Sequence, residues 1–93
     1  MSKSIDTLER LQHWYAEQCN GTWEHQYGVA IDTLDNPGWS VTIDLQGTNL
    51  ELVSMNPFAE DRGENDWIHC KIEGGQFIGN GDPLKLKTIL DLF

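Results

Sequence analysis

The chain has 93 residues, of which 15 are acidic and 6 are basic, so its formal net charge at pH 7 is −9. A chain of this length forms one domain, residues 1–93, around one modest hydrophobic core. Nucleic acids and anionic membrane surfaces are excluded as partners, because binding them requires an excess of lysine and arginine. The negative charge favours a basic protein partner instead, although it would also serve to keep a small protein soluble.

The cysteines and the N-terminal segment indicate the compartment. The first residues contain no apolar signal region, and no stretch approaches the roughly 18 apolar residues of a membrane span. We therefore expect a cytoplasmic protein in which Cys19 and Cys70 remain free, reduced thiols.

The N-terminal segment carries apolar residues at every third or fourth position, which predicts an amphipathic helix over residues 4–19. Ser4 is the expected N-cap of this helix. Asn20 and Gly21 are expected to end it, because both tolerate the left-handed conformation found after helix C-termini.

The centre of the chain, residues 27–52, alternates between apolar and polar residues with a period of two, which predicts half-buried strands. Between the first two strands, Pro37 and Gly38 predict a type II turn with a positive φ at Gly38. A third strand is expected over residues 50–55. The result is a sheet with one apolar face and one small, polar, acidic face.

The second half of the chain begins with an acidic segment, residues 56–66, that is predicted to be the longest loop. Residues 66–73 alternate again and predict a strand, and residues 76–79 are predicted to form a short final strand. Gly74 and Gly75 between them predict a two-residue hairpin turn.

The C-terminal segment predicts a final helix with Asp82 as its N-cap and an apolar stripe formed by Leu86, Ile89, Leu90 and Phe93. The predicted fold class is therefore α+β. It is an antiparallel meander of about five strands with the N-terminal and C-terminal helices packed on one face.

Metal binding is not expected, although Cys19, His25, His69 and Cys70 are residue types that bind metals. His69 and Cys70 are neighbours on a predicted strand, so their side chains point to opposite faces. The spacing from Cys19 to His25 matches no zinc motif. We expect neither a metal nor any other cofactor.

Catalysis is not expected either, and the chain is predicted not to be an enzyme. The main enzymatic alternative is a thiolate at Cys19 with His25 as its base. Cys19 lies at a predicted helix C-terminus, where the helix dipole disfavours a thiolate, and the residues after it include Glu24 and no arginine. A homo-oligomeric module that pairs through the polar face or a sheet edge is a further alternative.

Four segments resemble the immunity protein 53 family: residues 14–28, residues 33–41, Asp-Trp-Ile-His-Cys at 66–70 and Gly-Asn-Gly-Asp-Pro-Leu at 79–84. The similarity extends from about Leu8 to Phe93. It implies a cytoplasmic antitoxin of a bacterial polymorphic toxin system that binds and neutralises a cognate toxin domain. Some relatives carry a sulfurtransferase label, so an enzyme of that type using Cys19 remains the alternative.

We expect the toxin interface to combine aromatic anchors with an acidic rim, because binding hot spots favour tryptophan and tyrosine. The expected partner is a basic toxin domain, for which the charge favours a nuclease, and the protein itself is expected to be a monomer or a weak homodimer. Trp39 is in phase with Val41 and Ile43 and is also a candidate core residue. The candidate toxin-binding residues are Trp23, Glu24, His25, Asp32, Trp39, Asp44, Glu51, Asp61, Glu64 and Trp67.

Overall fold

A computed structural model describes residues 6–93 as one antiparallel sheet with a helix before it and a helix after it. The predicted α+β class, an antiparallel sheet of five strands and the two terminal helices are confirmed. The elements in chain order are α1 (Thr7–Gln18), a 3-10 turn (Trp23–His25), β1 (Val29–Leu34), β2 (Gly38–Asp44), β3 (Phe58–Asp61), β4 (Trp67–Glu73), β5 (Gln76–Gly81) and α2 (Leu86–Leu92).

The strand order is β1-β2-β5-β4-β3, which departs from the predicted simple meander. The last strand, β5, lies at the centre, where it pairs with β2 on one side and β4 on the other. Its residues Phe77, Gly79 and Gly81 are buried, whereas β3 is mostly exposed. The apolar and small residues of β5 therefore suit a central position, and the charged residues of β3 suit an edge.

The turn between β1 and β2 differs from the predicted type II turn, because Gly38 does not have a positive φ. Gly38 is the first residue of β2 and pairs with Leu34. A Cβ atom at Gly38 would overlap the carbonyl oxygen of Gly81 and approach the Trp67 ring at 3.3 Å. Close packing between strands, rather than turn geometry, explains this glycine. The hairpin turn at Gly74 and Gly75 is confirmed, with φ angles of 62° and 77°.

The predicted strand over residues 50–55 is wrong, and the third strand lies within the predicted loop instead. Residues 45–53 form successive turns, in which Thr48 N–H donates to the Leu45 carbonyl and Glu51 N–H donates to the Thr48 carbonyl. The Thr48 hydroxyl also donates to the Leu45 carbonyl at 2.6 Å. These local bonds occupy backbone groups that a strand would need for its ladder.

Helix α1 begins after Asp6, whose carboxylate accepts a hydrogen bond from Glu9 N–H at 2.8 Å. Ser4, the predicted N-cap, lies outside the described residues. Cys19 follows the last helical residue, and Gly21 has a φ of 90°, in line with the predicted stop signal.

Both helices contribute side chains to one core on the same face of the sheet. Leu11 of α1 and Ile89 and Leu90 of α2 are buried in it. The sheet contributes Val41, Ile43, Leu45, Ile68, Cys70 and Phe77 to this core.

Asp82, predicted from the sequence to be the N-cap of α2, is not its side-chain cap. Helix α2 begins at Leu86, and its N-cap position, Lys85, makes no capping side-chain bond.

Candidate functional site

No described element covers the sheet face opposite the helices, which we call the open face. The strand register identifies its residues, because directly paired residues in an antiparallel sheet share a face. One row of paired positions crosses all five strands. In sheet order, this row consists of Asp32, Ser40, Asn80, His69 and Ala59.

An open concavity of about 810 Å³ lies at one end of the open face. The turn between β1 and β2 forms one side of it, and the segment between β3 and β4 forms the other. The Trp67 ring lies in this concavity and contacts the His69 ring edge-to-face, with 5.5 Å between the ring centroids. Its polar lining includes Asn36, Asp61, Glu64, Asn65 and His69.

A smaller hollow of about 300 Å³ lies beside the concavity, and His69 lines both of them. Ala59, Lys71, Ile78 and Asn80 also line it. The open face is therefore concave at two adjoining places, and a half-buried apolar residue, Ile78, lies near its centre. Such a surface can accept protruding side chains of a protein partner.

The backbone of Trp67 is held by a buried carboxylate at the end of β5. Asp82 accepts hydrogen bonds from Trp67 N–H at 2.8 Å and from the Lys85 ammonium at 2.7 Å. Its second oxygen accepts from Leu84 N–H, so the charge of this fully buried residue is well compensated. The Lys85 hydrogen bond lowers the pKa of Asp82 to about 2. These bonds attach the start of β4 to the end of β5 and position the aromatic ring of the concavity.

Lysine and arginine side chains within residues 6–93 are largely neutralised by the chain itself. The Lys85 ammonium, which is bonded to Asp82, also lies 2.7 Å from Asp66. Hydrogen bonds with the Asp66 and Asp82 carboxylates raise the pKa of Lys85. Lys71 lies on the open face, and its ammonium is 2.6 Å from the Glu73 carboxylate. The further ion pairs are Arg62 with Glu60 and Asp66, and Lys87 with Asp91.

Several carboxylates at the open face, in contrast, have no such partner. Within residues 6–93, no lysine or arginine nitrogen lies within 4 Å of Asp32, Asp61 or Glu64. All three residues are exposed. The open face and its concavity therefore present negative charge to a partner.

The predicted site residues divide into two groups. Asp32, Asp44, Asp61, Glu64 and Trp67 lie on the open face or line its concavity. Asp44 is also structural, because its carboxylate accepts hydrogen bonds from Gly28 N–H and from the Gln76 amide, both at 2.9 Å. The other predicted residues, Trp23, Glu24, His25, Trp39 and Glu51, lie away from this face.

Trp23 and Trp39 have structural surroundings. Trp23 is 4% exposed, and its ring N–H donates to the Gln46 carbonyl at 2.8 Å. Trp39 is on the helix side of the sheet, where its ring N–H donates to the Pro83 carbonyl at 2.9 Å. Both rings therefore contribute to packing in this structure, and they are not part of the open face.

Glu24, His25 and Glu51 lie in connecting segments. The Glu24 carboxylate accepts hydrogen bonds from Asn20 N–H and Gly21 N–H, which secure the segment after α1. Hydrogen bonding to its own backbone N–H, and then to these two, lowers the pKa of Glu24. Glu51 accepts a hydrogen bond from Gly47 N–H within the turns after β2 and is not in the predicted third strand. His25 is exposed in the 3-10 turn.

Sequence reasoning missed His69, Ile78 and Asn80 as candidate contact residues. Alternation did place His69 on the outward side of its strand. Only the position of β5 between β2 and β4 brings Asn80 beside Ser40 and His69. The alternation of polar and apolar residues therefore predicts which face of the sheet a residue occupies, but not which residues of other strands lie beside it.

Within residues 6–93, no group of three or more His, Cys, Asp or Glu side chains is arranged to hold a metal ion. The Cys19 thiol donates to the Tyr15 carbonyl, and no hydrogen bond joins it to His25 in this part of the chain. None of the described helices is long and apolar enough to cross a membrane.

Comparison with protein-family models matches residues 8–93 to the family described as immunity protein 53. The match covers nearly the whole chain and includes α1 from Leu8 onwards, α2 and all five strands. No match to a curated protein or to a solved structure was found.

Proposed function

The chain belongs to the immunity protein 53 family, and from this premise we propose that it binds a cognate toxin domain through the open face and neutralises it stoichiometrically. Family membership implies an immunity role in a polymorphic toxin system, and this role requires binding rather than catalysis. The charge distribution of the open face is the single observation that carries the choice of interface.

The unpaired carboxylates favour a basic partner. Asp32, Asp61 and Glu64 are exposed, no lysine or arginine nitrogen among residues 6–93 lies within 4 Å of their carboxylates, and the net charge of the chain is −9. Complementary charges on two proteins raise the association rate and select against other partners. We therefore propose a toxin domain whose binding surface is basic.

Trp67 supplies the aromatic anchor of the proposed interface. Its ring is half-buried beside His69, and its backbone is held by Asp82. A ring that is already held in place loses little conformational entropy when a partner covers it. Tryptophan at the centre of a concave, acid-rimmed surface is typical of a binding hot spot.

A nuclease is the toxin chemistry that this charge favours. A nuclease domain needs a basic surface to neutralise phosphates, and an acidic protein can occupy the same surface. We further propose that binding takes place in the cytoplasm, before the toxin reaches nucleic acid in the producing cell.

The test is the association rate with the toxin domain encoded by the adjacent gene, measured by stopped flow over a range of ionic strengths. The double variant Asp32→Lys/Glu64→Lys should associate roughly tenfold or more slowly at low salt, and its rate should depend less on salt. Glu17→Lys makes the same kind of charge change on α1, at an exposed helical position. This control should stay close to wild type. Equal salt dependence in the double variant and the wild type would refute the open face as the interface.

A further inference from the structure

The two edge strands of the sheet differ in how well they are protected. β3 has four residues, follows Pro57 and ends with Glu60 and Asp61. β1 has six residues, and Asp32 is its only charged residue. Natural proteins block sheet edges with short strands, charges and proline, so β3 is blocked and β1 is not.

Within residues 6–93, nothing pairs with the outer edge of β1, which presents backbone groups free of partners in that range. Asp44 N–H donates to the Gly28 carbonyl at 3.0 Å, which defines the phase of the ladder between β1 and β2. Hydrogen-bonded and non-hydrogen-bonded pairs alternate in an antiparallel ladder. Residues 30, 32 and 34 therefore bond to β2. The N–H and C=O groups of Val29, Ile31 and Thr33 point away from it, towards the outer edge.

An apolar groove of about 310 Å³ runs along the same edge, between α1 and the start of β1. Leu11, Tyr15 and Val29 line it. Ile31 faces the helix side of the sheet, yet 39% of it is exposed. The opposite side of the same strand carries the exposed carboxylate of Asp32 on the open face.

We propose that β1 is the edge to which the toxin domain adds a strand, as in other complexes formed by strand addition. The added strand would bond to the outward groups of Val29, Ile31 and Thr33. It would place apolar side chains towards the groove and a lysine or arginine beside Asp32. This inference rests on the proposed function and specifies how the toxin is held.

Charge selects the toxin over a second copy of this chain as the occupant of the edge. Each copy carries a net charge of −9, so two copies repel each other. Pairing β1 with its own copy would also bring the two Asp32 carboxylates near each other across the new ladder, where like charges are destabilising. A strand with basic side chains avoids both the repulsion between two negatively charged chains and the repulsion between two Asp32 carboxylates.

The test is amide hydrogen exchange, read by NMR on the ¹⁵N-labelled chain alone and saturated with the toxin domain encoded by the adjacent gene. The amides of Val29, Ile31 and Thr33 should exchange at least roughly tenfold more slowly in the complex. Those of Thr48 and Val53, which lie in the turns after β2 and away from the open face, should not change. A complex that leaves the β1 amides unprotected overturns the inference and leaves the proposed function standing. The absence of any complex overturns both.

Substitutions separate strand addition from simple contact. Thr33→Pro removes an outward N–H without breaking the ladder to β2, and Thr33→Ala keeps that N–H. The dissociation constant should rise by roughly three- to tenfold for the proline variant relative to the alanine variant. Thr33→Ala is therefore the matched control and should bind close to wild type. If Thr33→Pro fails to fold by circular dichroism, Ile31→Lys, which places a cation at the groove, should weaken binding instead. Unchanged affinity in the folded variants overturns the inference.

Discussion

Gly79 controls how closely α2 approaches the sheet, and Gly79→Ala tests this directly. An added Cβ atom would lie far inside van der Waals contact with Ile89 Cγ2, and 3.3 Å from Cys70 Sγ. Carbon atoms reach their best contact at about 3.5–4.0 Å, so the helix would have to move away from the core. Ile89 is fully buried, and its movement would disturb the centre of that core.

The expected cost follows from overpacking of a well-filled site. Extra methyl or methylene groups in a packed core cost about 1–3 kcal/mol. For a domain of this size, each kcal/mol lowers the melting temperature by roughly 4–8 °C. Gly79→Ala should therefore lower the melting temperature by about 4–24 °C. Thermal unfolding followed by circular dichroism, together with urea unfolding followed by tryptophan fluorescence, measures both quantities.

A double-mutant cycle identifies the cause. Ile89→Ala removes Cγ2 and should by itself cost about 2–5 kcal/mol. If the overlap explains the effect, Gly79→Ala should cost at least about 0.5 kcal/mol less in the Ile89→Ala background than in the wild type. Gly28→Ala is the control, because its Cβ would have no neighbour within 4 Å and its φ is not positive. A stable Gly79→Ala variant, or an equal cost in both backgrounds, would refute the reasoning.

Two buried titratable groups give the remaining predictions. The pKa of Asp82 is about 2, below its usual 3.8, so its ionised carboxylate stabilises the fold above about pH 4 and this contribution is lost as the pH falls towards 2. The melting temperatures of the wild type and Asp82→Asn should converge as the pH falls from about 4 towards 2. A difference that stays constant over this pH range would contradict the lowered pKa of Asp82. Burial raises the pKa of the Cys70 thiol to about 11, so iodoacetamide at about pH 8 should label the exposed Cys19 and spare Cys70 until the chain unfolds. Equal labelling rates by mass spectrometry would be incompatible with that burial.

The candidate site was only partly predictable from the sequence. Asp32, Asp61, Glu64 and Trp67 were candidate contact residues, and they lie on or around the open face. Trp23 was a candidate too, yet it is buried under α1. Residue type indicates that a tryptophan is useful at an interface. Whether the ring packs inward depends on α1 and on the Gln46 carbonyl that accepts its N–H.

The third strand shows why local pattern is not sufficient. Residues 50–55 are apolar enough for a strand, but turn bonds around Thr48 occupy their backbone groups. Residues 58–61 carry two acidic residues and follow a proline, which is typical of a loop. They form a strand because β4 offers them an unpaired edge, and an edge strand tolerates charge.

The sequence by itself determined the class of the fold, the faces of β2 and β4, the apolar stripe of α2 and the acidic character of the protein. These features depend on residue periodicity and composition, which are local. Tertiary structure alone decided that β5 lies at the centre and that Asp82 supports Trp67. It also decided that no other strand of residues 6–93 pairs with the outer edge of β1. These features depend on which strands pair across long separations in the chain, and strand pairing is chosen by the packing of the whole core.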